Sequence, residues 1–338
     1  MKIYRGSFLK IGELEGSWAV TLGTFDGFHL GHAAILSRAF ELTRSAGLSG
    51  SLAITFGRHP RAVLTPSQRP RLLTTLQERI ALLDAAGLDR LYVLDFEEQL
   101  QRMEYDEFVR QVLREKLHMA HFILGHDVHF GRGRRGTAES LRALSVKLGF
   151  AFSQVDSVEH AGQPISSSRI REAIEQGQLA EATAMLGHPY LVVGPVEGGR
   201  QIGRQLGFPT ANLRLTHPAK LLPPHGVYAA WARVVGESSW ASAALNLGPA
   251  PTLKSESKVG LEVHLVEGSP ELYQKQLAVV FGPRLRGQQR FASAEELSRQ
   301  IARDVARVPE LLREAPAPQR PQALGSRWDP REALEGAE

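Results

Sequence analysis

The chain has 338 residues, 43% of them apolar and 22% charged, with 40 Lys plus Arg against 36 Asp plus Glu and a formal net charge of +4. That length suits two domains, that composition excludes a wholly disordered chain, and the slight basic excess fits anionic small molecules rather than a dedicated nucleic-acid binder. With no cysteine, disulfides, thiol catalysis and Cys-ligated zinc or iron–sulfur sites are excluded.

The first half alternates strand-like and helix-like stretches. Residues 18–22 form a short apolar run ending at Gly23. A helical spacing follows over 32–45 through Ile35, Ala39 and Leu42, closed by Gly47. Residues 51–56 read as a second strand. Thr75 and Glu78 make a capping-box pattern ahead of a helix carrying Leu76, Ile80 and Leu83. Residues 91–94, 122–124 and 150–155 read as strands. Phe108, Val112 and Lys116 mark one helix, Leu141, Leu144 and Leu148 another, and Ile170 with Ile174 a last one ending near Gly177. This β/α alternation implies a parallel sheet covered on both faces.

The pattern changes near 187–189. Strands are expected over 190–193, 227–235, 239–247, 261–266 and 277–281, separated by Gly- and Pro-bearing turns. Leu261, Val263 and Leu265 alternate with Glu262 and His264, as in a half-buried strand. Five short strands predict a small antiparallel barrel or sandwich. Ser293 and Glu296 cap a closing helix with the stripe Leu297, Ile301, Val305. The expected domains are 1–186 and 187–312, with 313–338 a proline-rich, loosely ordered tail.

The segment Gly23-Thr24-Phe25-Asp26-Gly27-Phe28-His29-Leu30-Gly31-His32 joins the first apolar strand to its helix. Ligands of open α/β sheets bind at such strand ends, and a glycine-rich helix start favours phosphate. Two imidazoles three residues apart can face one ligand. Without further carboxylates they suit phosphate better than a closed metal site. The segment resembles the G-x-F-D-x-x-H-x-G-H motif of the nucleotidyltransferase superfamily. Ile165-Ser166-Ser167-Ser168-Arg169-Ile170-Arg171 resembles the I-S-S-[ST]-x-I-R motif of its flavin branch. The resemblance implies ATP contacts at Gly23, Phe25, Asp26, Gly31, Ser167 and Arg169, with His29 and His32 catalytic. A similar His-x-Gly-His occurs in class I aminoacyl-tRNA synthetases, but their lysine-rich K-M-S-K-S-like loop is absent.

Gly131-Arg132-Gly133-Arg134-Arg135-Gly136 spells G-x-G-x-x-G, with Asp156 about twenty residues on, and keeps an NAD-dependent oxidoreductase as an alternative. The stretch does not directly follow a strand, and its variable positions are all Arg. In the resembled family it corresponds to a G-x-D-F-x-F-G-x-x-x-x-G loop, which implies flavin contacts at Asp127 and Phe130. Val128 stands where that pattern has its first Phe.

In the second half, Gly203-Arg204-Gln205-Leu206-Gly207-Phe208-Pro209-Thr210-Ala211-Asn212 can be read as a turn-rich loop or as a phosphate and Mg²⁺ site, with Thr210 and Asn212 as hard oxygen ligands. No G-x-x-x-x-G-K-[ST] loop exists in the chain. The segment closely resembles the G-R-x-L-G-F-P-T-A-N motif of riboflavin kinases. Gly226-Val227-Tyr228-Ala229, Asn246-Leu247-Gly248 with Pro251-Thr252, Leu272-Tyr273, and Leu285-Arg286 with Arg290-Phe291 match further motifs in order. Gln274, Gln288, Pro249 and Ala250 depart from them. Over residues 1–308 the chain resembles the bifunctional bacterial riboflavin kinase/FAD synthetase family. The resemblance implies a Rossmann-like nucleotidyltransferase domain followed by a β-barrel kinase domain. It also implies Mg²⁺ with ATP, riboflavin and FMN as substrates, FAD as product, Glu262 as catalytic base, Gly203, Arg204 and Gly207 on ATP, and Arg286 on flavin. No apolar stretch approaches the roughly 20 residues of a membrane helix, and Met1-Lys2-Ile3-Tyr4-Arg5-Gly6 lacks a signal peptide's apolar core. The expected protein is a cytoplasmic monomer or weak homo-oligomer without nucleic-acid or membrane partners.

Overall fold

A computed structural model describes residues 1–198, 202–249, 259–268, 271–313 and 315; the expected matches at Pro251 and Thr252, Ala250 and the tail beyond 315 lie outside them. Trp18, Ala19, Val20, Thr21 and Leu22 are all buried, as a central strand with both faces covered must be. It is the second of six parallel strands: β1 (Lys2–Gly6), β2 (Trp18–Leu22), β3 (Gly50–Phe56), β4 (Arg90–Leu94), β5 (Met119–Gly125) and β6 (Ala151–Val155). Their order is β1-β4-β3-β2-β5-β6. On one face lie α1 (Leu30–Ser45) and α2 (Leu76–Ala85), burying Leu36, Ile80 and Leu83 against Ala53, Leu91 and Val93. On the other lie α3 (Phe108–Lys116) and α4 (Ala138–Leu148), burying Val109, Val112 and Leu141 against Val20, Ile54 and Phe122. The capping box at Thr75 and Glu78 forms as expected, with both reciprocal bonds present.

Two further helices, α5 (Ser167–Glu175) and α6 (Leu179–Leu186), lead to the second unit. Its strands are β7 (Leu191–Glu197), β8 (Ala211–Leu213), β9 (Gly226–Val234), β10 (Ala241–Pro249), β11 (Val259–Leu265) and β12 (Gln276–Arg286). They close a barrel in the order β8-β11-β10-β9-β12-β7, all neighbours antiparallel. The expected alternation holds on β11: Leu261 and Val263 join the buried core while Glu262 and His264 point the other way. The closing helix α7 (Ala294–Arg313) lays Val308 and Leu312 on Ala229 and Ala244 of the outer barrel face.

Among the elements that depart from the sequence-based expectation, three shape the two units. β1 is an additional edge strand, α6 an additional helix, and β8 makes the barrel six-stranded rather than five-stranded.

Candidate active sites

The connection after β2 runs toward β3, whereas that after β5 runs to β6 on the other side. The crevice at the carboxyl ends of β2 and β5 is therefore the point where strand order reverses, the usual ligand position of open α/β sheets. The loop 23–29 and the start of α1 occupy the β2 side.

This loop is strained and firmly held. Phe25 and Phe28 have φ of 49° and 40°, in the left-handed region, and both are buried. Bulky residues adopt such angles only where surrounding structure over-determines them. The Asp26 carboxylate does so here. It accepts from the Leu73 amide at 3.2 Å, the Thr74 amide at 2.9 Å and the Thr74 hydroxyl at 3.1 Å, and pairs with Arg171. Burial would raise its pKa; Arg171, Arg79 and the Thr74 and Leu73 amides outweigh it and hold the carboxyl below its ordinary value. Asp26, expected on ATP, is thus turned inward as the loop's anchor.

His29 is the N-cap residue of α1 and stacks on His32, ring centroids 3.7 Å apart. A Cβ at Gly31 would lie 3.1 Å from the His29 ring, so a larger residue there would press on the imidazole that covers the helix start. Burial lowers the His29 pKa to about 4, against the opposing pull of Asp127 and Asp26. Burial, then His29 and Arg79, push His32 well below its ordinary value. Both rings are neutral at pH 7, and the Nδ1 atom of each is enclosed without a hydrogen-bond partner among the described residues. His59, which caps the short helix Pro60–Leu64 after β3, is likewise lowered to about 4 by burial.

Gly23 continues the sheet, donating to the Ile54 carbonyl at 3.0 Å. The Ser167 hydroxyl at the start of α5 donates to the Asp26 carbonyl at 3.0 Å. Arg169 is engaged elsewhere than expected: its guanidinium donates to the carbonyls of Gln163 and Pro164, both at 2.8 Å, and His160 at 3.3 Å. It pins the ladder between Glu159–His160 and Gln163–Pro164 to α5. Asp127 is exposed and reaches His29 electrostatically. Phe130 sits edge-on to Phe108 and Phe122, with centroids at 6.0 and 5.8 Å.

The G-x-G-x-x-G stretch does not open an α-helix. Phe130 and Gly136 bond each other's backbone, Arg132 and Arg135 face Glu104, and α4 begins only after its own cap at Thr137. Those glycines carry only a three-residue 3₁₀ turn, Arg132–Arg134, broken by the non-helical Gly133. A dinucleotide phosphate therefore has no α-helix amino end there, and the oxidoreductase alternative gains no support.

In the barrel, register rather than sequence proximity assembles the site. Asn212 of β8 lies opposite Glu262 of β11, which lies opposite Asn246 of β10. The three side chains thus form one cross-strand row on the outer face. The Asn246 amide donates to Glu262 Oε2 at 3.5 Å, and Gln288 donates to Asn246 Oδ1 at 2.8 Å. Gln288, a departure from the resembled motif, therefore holds the amide beside Glu262. Thr210 precedes Asn212 in a turn packed against Gly203, where a Cβ would meet the Phe208 carbonyl at 2.3 Å and Thr210 Oγ1 at 3.2 Å. Gly207 lies in the same turn, and the Arg204 side chain is outside the described residues. Arg286 does not point to open surface. It pairs with Asp304 of α7 through Nε at 2.9 Å and Nη2 at 2.7 Å, fastening the closing helix. Sequence reasoning left out Arg171, Asn246, Gln288, His59 and Arg79. Arg171 and Asn246 stood inside the quoted motifs, and His59 follows a strand end as His29 does.

A family model described as FAD synthetase matches residues 12–169, and one described as riboflavin kinase matches 186–312. A bifunctional riboflavin kinase/FMN adenylyltransferase of Pseudomonas fluorescens is 37% identical over 306 residues, covering 90% of this chain and 96% of its own. Proteins of the same description from Escherichia coli K12 and Bacillus subtilis are each 33% identical, over 90% and 87% of this chain and 96% and 92% of theirs. A solved structure described as a macrolide-efflux protein from Streptococcus pneumoniae superposes with a TM-score of 0.80 at 28% identity, covering 91% of this chain and 99% of that one.

Proposed function

Because the chain belongs to the bifunctional riboflavin kinase/FMN adenylyltransferase family, we propose that it phosphorylates riboflavin to FMN on the barrel and adenylylates FMN to FAD in the α/β crevice, each with one ATP. The division falls between residues 1–186 and 187–312. The observation that supports this reading most is the pairing, in one chain, of a Glu262 carboxylate flanked by Asn212 and Asn246 on a closed barrel with stacked neutral imidazoles at a strand–helix junction.

On the barrel, Glu262 accepts the proton of the riboflavin 5′-hydroxyl, steadied by Asn246. The freed oxygen attacks the γ-phosphorus of ATP, the bond to the β-phosphate oxygen breaks, and ADP leaves. Such transfer is achieved chiefly by positioning and charge neutralisation. Thr210 and Asn212 offer two neutral hard oxygens beside one carboxylate, a donor set that fits Mg²⁺ when nucleotide oxygens and water complete its shell. Bound there, Mg²⁺ would draw charge from the transferring phosphate.

In the crevice, a phosphate oxygen of FMN attacks the α-phosphorus of ATP, and pyrophosphate departs with the bond's electron pair. A phosphate monoester needs no general base. His29 and His32 donate to oxygens on which charge gathers, and the anion in turn draws protons toward the rings. The start of α5 with Ser167 receives the departing phosphates. Asp26, Arg169 and Arg286 frame the two sites rather than touch substrate. Among the described residues no helix is long and apolar enough to cross a membrane. The reading includes a cytoplasmic monomer or weak homo-oligomer. Incubating the chain with riboflavin, Mg²⁺ and ATP tests the function: FMN should form first and FAD follow with release of pyrophosphate, and the absence of both products would overturn it.

A further inference from the structure

We propose that Lys220, a residue of the barrel unit, is a positioning residue for adenylyl transfer in the other unit; this rests on the reading of the His29 site given above. Lys220 is 1% exposed. Its ammonium group has three protons to donate. It donates to the Leu73 carbonyl at 2.6 Å, the Leu191 carbonyl at 2.7 Å and Glu78 Oε2 at 2.8 Å, and lies 4.5 Å from the Tyr190 ring centroid. Those acceptors belong to three parts of the chain: the segment ahead of α2, strand β7, and α2 itself.

Glu78 spans the junction as well. Its Oε2 also accepts from the Thr75 amide at 2.8 Å, closing the capping box, and its Oε1 accepts from the Val193 amide of β7 at 2.9 Å. Around this pair the backbones join directly. The Leu72 amide donates to the Ala219 carbonyl at 2.7 Å, and the Leu221 amide donates to the Leu72 carbonyl at 2.8 Å. Leu72 therefore forms a parallel β-bridge with Lys220 of the barrel unit.

The next two residues, Leu73 and Thr74, hold the catalytic loop. The Leu73 and Thr74 amides donate to the Asp26 carboxylate, and the Gly27 amide donates to Thr74 Oγ1 at 3.0 Å. His188, just ahead of β7, places Nε2 3.0 Å from the Gly27 carbonyl on the opposite side. The strained turn that carries His29 is thus gripped by groups whose positions the barrel unit sets. A buried ion pair alone says little about stability, because apolar residues of like volume often replace one without loss. An apolar side chain would fill the space of Lys220. It could not hold the Leu73 carbonyl, β7 and α2 at once.

The test uses the full chain with Lys220→Met alone and with Lys220→Met/Glu78→Gln. Gln at 78 keeps the capping box through its one acceptor oxygen and gives up the bond from the Val193 amide. The double variant removes both charges together, so no ion is left buried without a partner. Each protein is assayed well below its own unfolding midpoint for FAD formation from supplied FMN and for FMN formation from riboflavin. The expected result is that in both variants kcat for FAD formation falls at least about tenfold, as a small misplacement of a reacting group produces, while riboflavin phosphorylation is unchanged. The double variant should regain part of the thermal stability that Lys220→Met loses, without regaining FAD formation. If FAD formation returns along with stability, or if riboflavin phosphorylation falls as far as FAD formation, Lys220 is a structural residue only and the proposal fails. A His29→Ala protein assayed alongside keeps the two claims apart, because its loss of FAD formation tests the site and not the tether.

Discussion

Asp26 is the residue on which the α/β site's geometry turns, and Asp26→Asn removes its charge at nearly constant volume. The carboxylate is 1% exposed and accepts four bonds, one from a guanidinium. An amide side chain has one acceptor oxygen, so a donor would face a donor and Arg171 would lose its counter-ion. Breaking a buried pair on one side costs about 3–5 kcal/mol. At about 2–4 °C per kcal/mol for a unit of this size, the first unfolding midpoint should drop by roughly 10 °C at pH 7. Because the folded Asp26 pKa lies below its unfolded value, this stabilisation is present above the ordinary carboxylate pKa of about 4 and fades as pH falls through the folded value. The gap between wild type and variant should therefore narrow in melts below about pH 4. With Phe25 and Phe28 no longer held, FAD formation should fall on the order of 100-fold and riboflavin phosphorylation should not change. A gap that stays equally wide at low pH, or a variant with unaltered midpoint and FAD formation, would refute the reasoning.

Gly31→Ala brings a methyl group within 3.1 Å of the His29 ring while removing a helix glycine that costs about 1 kcal/mol. FAD formation should fall although the melt holds or rises, which steady-state kinetics beside calorimetry will show. The lowered His29 pKa makes the unfolded chain take up the proton first, so stability present above about pH 6.5 is lost down to about pH 4, up to roughly 3 kcal/mol. Urea titrations should show wild-type stability falling across that window while His29→Gln lacks this slope, so the difference between them shifts toward the variant by up to roughly 3 kcal/mol as pH falls to about 4. Asp304→Asn leaves Arg286 without its counter-ion under α7 and should cost about 3–5 kcal/mol by urea unfolding. Pairing it with Arg286→Met should recover most of that loss.

Much of this architecture can be read from the sequence wherever a local rule acts. The central strand over 18–22, the capping box at Thr75 and Glu78, and the alternation around Glu262 each follow from neighbouring residues. β1 escaped because Lys2-Ile3-Tyr4-Arg5-Gly6 is a part-exposed edge strand without clean alternation. β8 escaped because its three residues lie inside a motif that reads as a turn. α6 is short and follows Gly177 so closely that the chain there resembles the end of a helix rather than the beginning of one. Side-chain destinations were harder still. Motif position says that Asp26, Arg169 and Arg286 matter, but a guanidinium or carboxylate serves a fold as well as a ligand. Only tertiary register decides which it finds. Lys220 and Glu78 are 142 residues apart, and nothing local to either announces the other.

The most direct test of two separate sites is product analysis of two folded variants given ATP and Mg²⁺. His29→Ala/His32→Ala should convert riboflavin to FMN and stop there. Glu262→Ala should make no FMN from riboflavin, yet turn supplied FMN into FAD at the wild-type rate. If either variant, folded by circular dichroism, loses both conversions, the assignment of one reaction to each unit is contradicted.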